Sequence, residues 1–92
     1  MLFVSLLKRM RGTSQQSAEL RMKWQPPDGV KPVAEYWLQS SSINVVYVFE
    51  TDSSDALLEM RTYWAEIYDI ETFPAVPGDR GLAVLQRMMQ KA

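Results

Sequence analysis

Histidine and cysteine are both missing from this chain of 92 residues. Histidine is the side chain that exchanges protons near neutral pH, and cysteine is the common soft nucleophile. Their joint absence excludes a structural zinc site, a Cys–His nucleophile and a Ser–His–Asp triad. It also excludes a disulfide framework. An excess of charge is lacking too. The net charge is −1, so no global field draws nucleic acid. No apolar run is long enough to span a membrane. The opening MLFVSLLKRMRG places its apolar run before its basic cluster, the reverse of a signal peptide. It reads as a first strand and a charged turn, and the compartment expected by default is the cytoplasm. Carboxylates, hydroxyls, Lys, Arg and aromatic rings remain, and none stands in a spacing that names a reaction.

What is present describes one globular domain over residues 1–92, 47% hydrophobic, with three Trp, four Tyr and three Phe. A chain of this size buries roughly 60–70% of its unfolded surface, so a monomer is feasible with a modest margin and self-association would help. No internal repeat and no low-complexity segment stands out.

The hydrophobic period divides the chain. Leu2 to Lys8 predicts a strand that ends before Gly12. Thr13 and Gln16 have the spacing of a capping box for a helix reaching about Trp24. The segment QPPDGVK over 25–31 predicts a turn. Pro32 to Ser40 predicts a second strand with Val33, Glu35, Trp37 and Gln39 on one face and Ala34, Tyr36 and Leu38 on the other. Ser40 to Ser42 forms a hairpin connection. Ile43 to Glu50 follows as an apolar, central strand. The DSSD cluster at 52–55 suits a helix N-terminus. Leu57, Met60, Trp64 and Ile67 then share a helical stripe. Tyr68 to Val76 predicts an edge strand closed by Pro74. A last amphipathic helix carries Leu82, Leu85 and Met89.

The order β-α-β-β-α-β-α is that of an α+β, ferredoxin-like fold with a four-stranded antiparallel sheet and two helices on one face. The strand at 43–50 is apolar on both sides, so the face away from the helices would be a large apolar patch. A second copy is the economical cover, and the expected form is a homodimer. The third helix is the other available cover.

Three segments, KWQPPDGVKPVAEYW, VVYVFETDSSDAL and YDIETFPAV, carry a resemblance over nearly the whole chain. It resembles a family of small uncharacterised prokaryotic domains grouped with the dimeric α/β-barrel, ferredoxin-like superfamily. Its most specific pieces are the Pro26-Pro27-Asp28-Gly29-Val30 turn and Trp37. The family has no agreed activity to carry over. Relatives often place a polar residue or histidine just after that tryptophan. Here it is Leu38, which weakens a proton-transfer role. The resemblance implies a dimeric α/β barrel. Better-known members of the superfamily, cofactor-free monooxygenases and small isomerases, hold substrates between sheet and helices. That likeness is one of fold, which does not fix function.

Two function classes follow. One is a small dimeric binding or protein-interaction domain without catalysis. The other is a cofactor-free enzyme with a ligand pocket around Glu35, Trp37 and Tyr47. In the second, desolvation would raise the Glu35 pKa and fit it for general acid–base work; as an exposed or Arg-paired strand residue it would do no such work. Tyr36 is a further candidate for an aromatic pocket. Tyr63 and Arg61 are expected to face solvent. Lys8, Arg9, Arg11, Arg21 and Lys23 form a basic cluster near the first turn, read as a solvated edge. Asp52, Asp55 and Glu59 lack the spacing of a calcium loop, so no metal site is expected. No cofactor is expected either. The implied partners are a second copy and a small-molecule ligand, with neither nucleic acid nor membrane.

Overall fold

The first apolar run becomes strand β1, Leu2–Arg9, and lies inside the sheet. The computed structural model describes residues 1–91. After β1 come helix α1 (Ser14–Lys23), strands β2 (Lys31–Trp37) and β3 (Val45–Glu50), helix α2 (Ser54–Trp64), strand β4 (Tyr68–Pro74) and helix α3 (Gly78–Lys91). The sheet order is β2-β3-β1-β4, with every neighbouring pair antiparallel. This is the ferredoxin-like α+β arrangement.

Thr13 caps α1. Its side chain accepts the Gln16 N–H at 3.1 Å, and the Gln16 side chain accepts the Thr13 N–H at 2.8 Å. That reciprocal pair satisfies two of the donors a helix start leaves open. Gly12 enters the cap with φ +76 and Gly29 makes the turn before β2 with φ +86; both lie in the left-handed region that favours glycine. Ser53 caps α2 through the Ala56 N–H. The hydroxyl does this work, not the neighbouring acids of the DSSD run. The helix ends at Trp64, three residues before Ile67, which lies in the turn.

The second strand is shorter than its alternating pattern. It stops at Trp37, not Ser40, and β3 starts at Val45, not Ile43. Asn44 accounts for the difference. Its carbonyl accepts one last inter-strand bond from the Leu38 N–H, while its side chain accepts the Arg9 N–H and donates to the Ser40 carbonyl, which ties the connection to β1 and ends the pairing there. The β2–β3 register also shifts between Pro32 and Ala34, where Pro32 has no N–H to give. β4 ends at Pro74, two residues short of Val76.

Register sets two rows across the face that carries the helices. Glu35 stands beside Tyr47, Tyr47 beside Ser5, and Ser5 beside Thr72. The next row runs Trp37, Val45, Leu7, Ile70. Leu7, Ile70, Trp64 and Tyr68 form the buried core beneath α2. Phe49 is completely buried and stacks between Phe3 and Tyr47. The opposite face bears Val4, Leu6, Val46 and Val48 in its centre, with Tyr36 and Phe73 on the outer strands. The third helix does not cover it. Among the described residues, α3 has no buried side chain, and Leu82, Leu85, Met88 and Met89 all stay exposed.

Candidate functional site

α1 is held away from the sheet. α2 packs its backbone closely against β4, while α1 approaches no strand that nearly. It has no buried residue and no coherent apolar face. Side chains bridge the gap. Trp24 lies 5.3 Å from Trp64 and 4.8 Å from Tyr63, ring centre to ring centre. The Tyr63 hydroxyl donates to the Leu20 carbonyl at 2.6 Å. Tyr63 therefore ties the two helices together instead of facing solvent. Ser17 and Tyr68 share a hydroxyl–hydroxyl bond beneath the helix.

The space left under α1 is a cavity of about 240 Å³ open to solvent. Ser5, Leu7, Val45, Tyr47 and Ile70 floor it from the sheet. Ser14, Ser17, Ala18 and Arg21 roof it from α1, and Met60 and Trp64 close it from α2. Glu35, Trp37 and Tyr47 all line it, as do all three tryptophans of the chain. Tyr36 does not; it lies on the opposite face, because successive strand residues point to opposite sides.

Of the two readings of Glu35, the structure shows the Arg-paired one. Arg21 donates to both its oxygens, Nε at 2.9 Å and Nη2 at 2.8 Å, and the Trp37 indole N–H adds a third bond at 2.6 Å. The Arg21 bonds outweigh burial, and together with Trp37 they hold the Glu35 pKa below the ordinary 4.5. The raised value that the enzyme reading required does not arise: three donors to the charged form win over partial desolvation. A carboxylate so held is a poor proton carrier near neutral pH. The same pairing raises the Arg21 pKa further. Burial pushes the Tyr47 hydroxyl above its usual value, against a Trp24 bond to the phenolate.

The remaining charged residues disperse. Arg9 donates to Ser14, and Arg11 to the carbonyls of Ala65 and Glu66 at the end of α2. The N-terminal amine pairs with Asp52 at 2.9 Å. No acidic cluster among the described residues could hold a metal ion. No helix among them is long and apolar enough to cross a membrane. Sequence reasoning missed Arg21 as a partner for Glu35. The two are 14 positions apart on different elements, and only a carboxylate placed at a helical roof gives the signal.

Residues 1–89 match the model of a family described as "Domain of unknown function (DUF3303)". The chain belongs to this family. Neither a curated protein nor a solved structure matches the chain. The family description names no reaction, and so the chemistry of the cavity is the guide to function. Its walls are mostly carbon, its hydroxyls are neutral, and its one ion pair cancels its own charge.

Proposed function

We propose that this domain binds a small, neutral, mainly apolar or aromatic molecule in the cavity under α1 of its ferredoxin-like fold, and that Glu35 anchors the roof without transferring protons. The single observation that carries this reading is the open cavity of about 240 Å³ that gathers Trp24, Trp37, Trp64 and Tyr47 around an internally neutralised Arg21–Glu35 pair. Ligand sites of this kind are apolar hollows with a few placed polar groups. The volume falls below the roughly 300–1,000 Å³ of drug-sized sites, so the ligand is of fragment size. Unpaired positive charge would favour an anion, but the guanidinium already has its carboxylate. The loosely packed α1 suits entry, because a helix with little buried apolar surface opens at low cost.

All three tryptophans report on the site directly. Nitrobenzene, a neutral aromatic quencher, should quench the intrinsic fluorescence saturably, and 4-nitrobenzoate should do so far more weakly. Ala18→Phe, which places a ring in the cavity from the roof, should abolish the saturable part. It should change stability by no more than about 0.5 kcal/mol, since Ala18 is exposed. Quenching that stays linear in probe concentration, or that is the same in Ala18→Phe, would remove the ligand site. Catalysis without Glu35 as base has no observation in its favour.

A further inference from the structure

Two apolar surfaces of this chain lack a partner among the described residues. The first is on α3. Leu82, Leu85, Met88 and Met89 occupy adjoining stripes of the helix and are 62%, 56%, 63% and 76% exposed. An isolated helix of this length is marginal in water, and a helix this amphipathic is normally held by what its apolar face touches. The second is the outer sheet face, where Tyr36 is 59% and Phe73 46% exposed beside the valines and leucines of β1 and β3.

α3 projects from the body. The radius of gyration, 15.7 Å, exceeds the roughly 12 Å expected of a compact domain of this length, and α3 has no buried residue. The link gives it little room to fold back. Ala75 N–H still bonds the Leu2 carbonyl at 2.9 Å, and Pro77 fixes its own φ at the helix entrance.

We infer that two copies of this chain exchange arms: α3 of each lies across the outer sheet face of the other. Sheet-on-sheet pairing would cover the strands and leave the α3 stripe in water. Arm-on-arm pairing would do the reverse. Exchange buries both, twice, under one two-fold axis. The sizes agree, since α3 is about 21 Å long and the 6–8 residues of β1 and β3 span about 20–26 Å. The areas agree too. Tyr36, Phe73, Val76, Leu82, Leu85, Met88 and Met89 are each 46% exposed or more. At roughly 100 Å² each they offer about 700 Å² per copy. The pair then buries on the order of 1,400 Å², within the range of a specific interface. The charges also suit. α3 carries Arg80, Arg87 and Lys91 against Asp79, whereas the outer rows carry Glu50, Asp69 and Glu71 against Lys8 and Lys31. This surface is on the other side of the sheet from the cavity and does not depend on the ligand reading.

The test is sedimentation equilibrium of the full chain at micromolar concentration, with site-directed cross-linking. The mass expected is twice the chain's 10.6 kDa, and Leu85→Glu should return it to the single-chain value. The absence of native cysteine makes linkage unambiguous. Leu85→Cys chains mixed and exchanged with Val48→Cys chains, then treated with a short bismaleimide, should give a covalent mixed dimer, while each variant alone links poorly. A single-chain mass for the unmodified protein overturns the proposal. So does efficient self-linking of Leu85→Cys, which means arm-on-arm, or of Val48→Cys, which means sheet-on-sheet. A dimer in which no combination links overturns it as well.

Discussion

Trp64→Ala should lower the unfolding free energy by about 3–5 kcal/mol. Trp64 is 7% exposed and stands where α1, α2 and β4 meet. Its ring lies 5.3 Å from Trp24, 4.9 Å from Tyr63 and 5.8 Å from Tyr68. Removal takes away the transfer free energy of a large ring and several tilted or edge-on aromatic contacts. The hole would merge with the existing cavity and fill with water, and collapse could not recover the loss. A domain of this length holds only about 5–14 kcal/mol in total, so the variant loses a large share of it. Urea unfolding followed by far-UV circular dichroism measures the change. Trp37→Ala is the internal control. The same residue type at 71% exposure makes one polar contact, with Glu35, and should cost no more than about 1 kcal/mol. Equal losses in the two variants would show that the aromatic cluster is not what supports α1.

Glu35→Gln should reverse the charge preference of the cavity. The amide keeps the shape and one acceptor but removes the negative charge, and Arg21 then presents an uncompensated guanidinium beside apolar walls. 4-Nitrobenzoate should overtake nitrobenzene as the tighter quencher. The fold should survive. The Arg21 side chain is 40% exposed and can hydrate, so the stability loss is on the order of 1 kcal/mol. The loss should also depend on pH in a defined sense. Because the folded-state pKa of Glu35 lies below the ordinary 4.5, its contribution is complete above that value and disappears as pH falls through the lowered one. The stability gap between the native chain and Glu35→Gln is therefore constant near neutrality and closes in acid. Carboxyl-detected NMR should find Glu35 titrating below the ordinary 4.5. Titration at or above 4.5, or a gap that widens in acid, would contradict the Arg21 fork.

The order of elements was legible in the sequence because each carries its own period. INVVYVFE cannot make an amphipathic helix, and Leu82, Leu85 and Met89 cannot share a face of a strand. Strand alternation also placed Glu35, Trp37 and Tyr47 together, since β2 and β3 are neighbours and residues paired across strands share a face. Local chemistry even gave the capping box at Thr13 and Gln16. Strand ends were less legible. The alternation of PVAEYWLQS continues past Trp37, but after the Leu38–Asn44 backbone bond the Asn44 side chain binds Arg9 and Ser40 and the pairing stops.

The protonation of Glu35 was decided only in three dimensions. A carboxylate in an aromatic strand reads either as a desolvated acid or as an exposed or Arg-paired residue, and nothing local reveals that a helix starting 21 residues earlier sets a guanidinium over it. The cavity has the same origin. It exists because α1 lacks an apolar face and is propped off the sheet by Trp24, Tyr63, Trp64 and Tyr68, a distance that no period encodes. Sequence alone determined the elements, their faces and the surplus of apolar surface, because those follow from spacing along the chain. Tertiary structure decided which charges meet, how far α1 stands from the sheet and that α3 leaves the body, because each depends on residues brought together from distant parts of the chain.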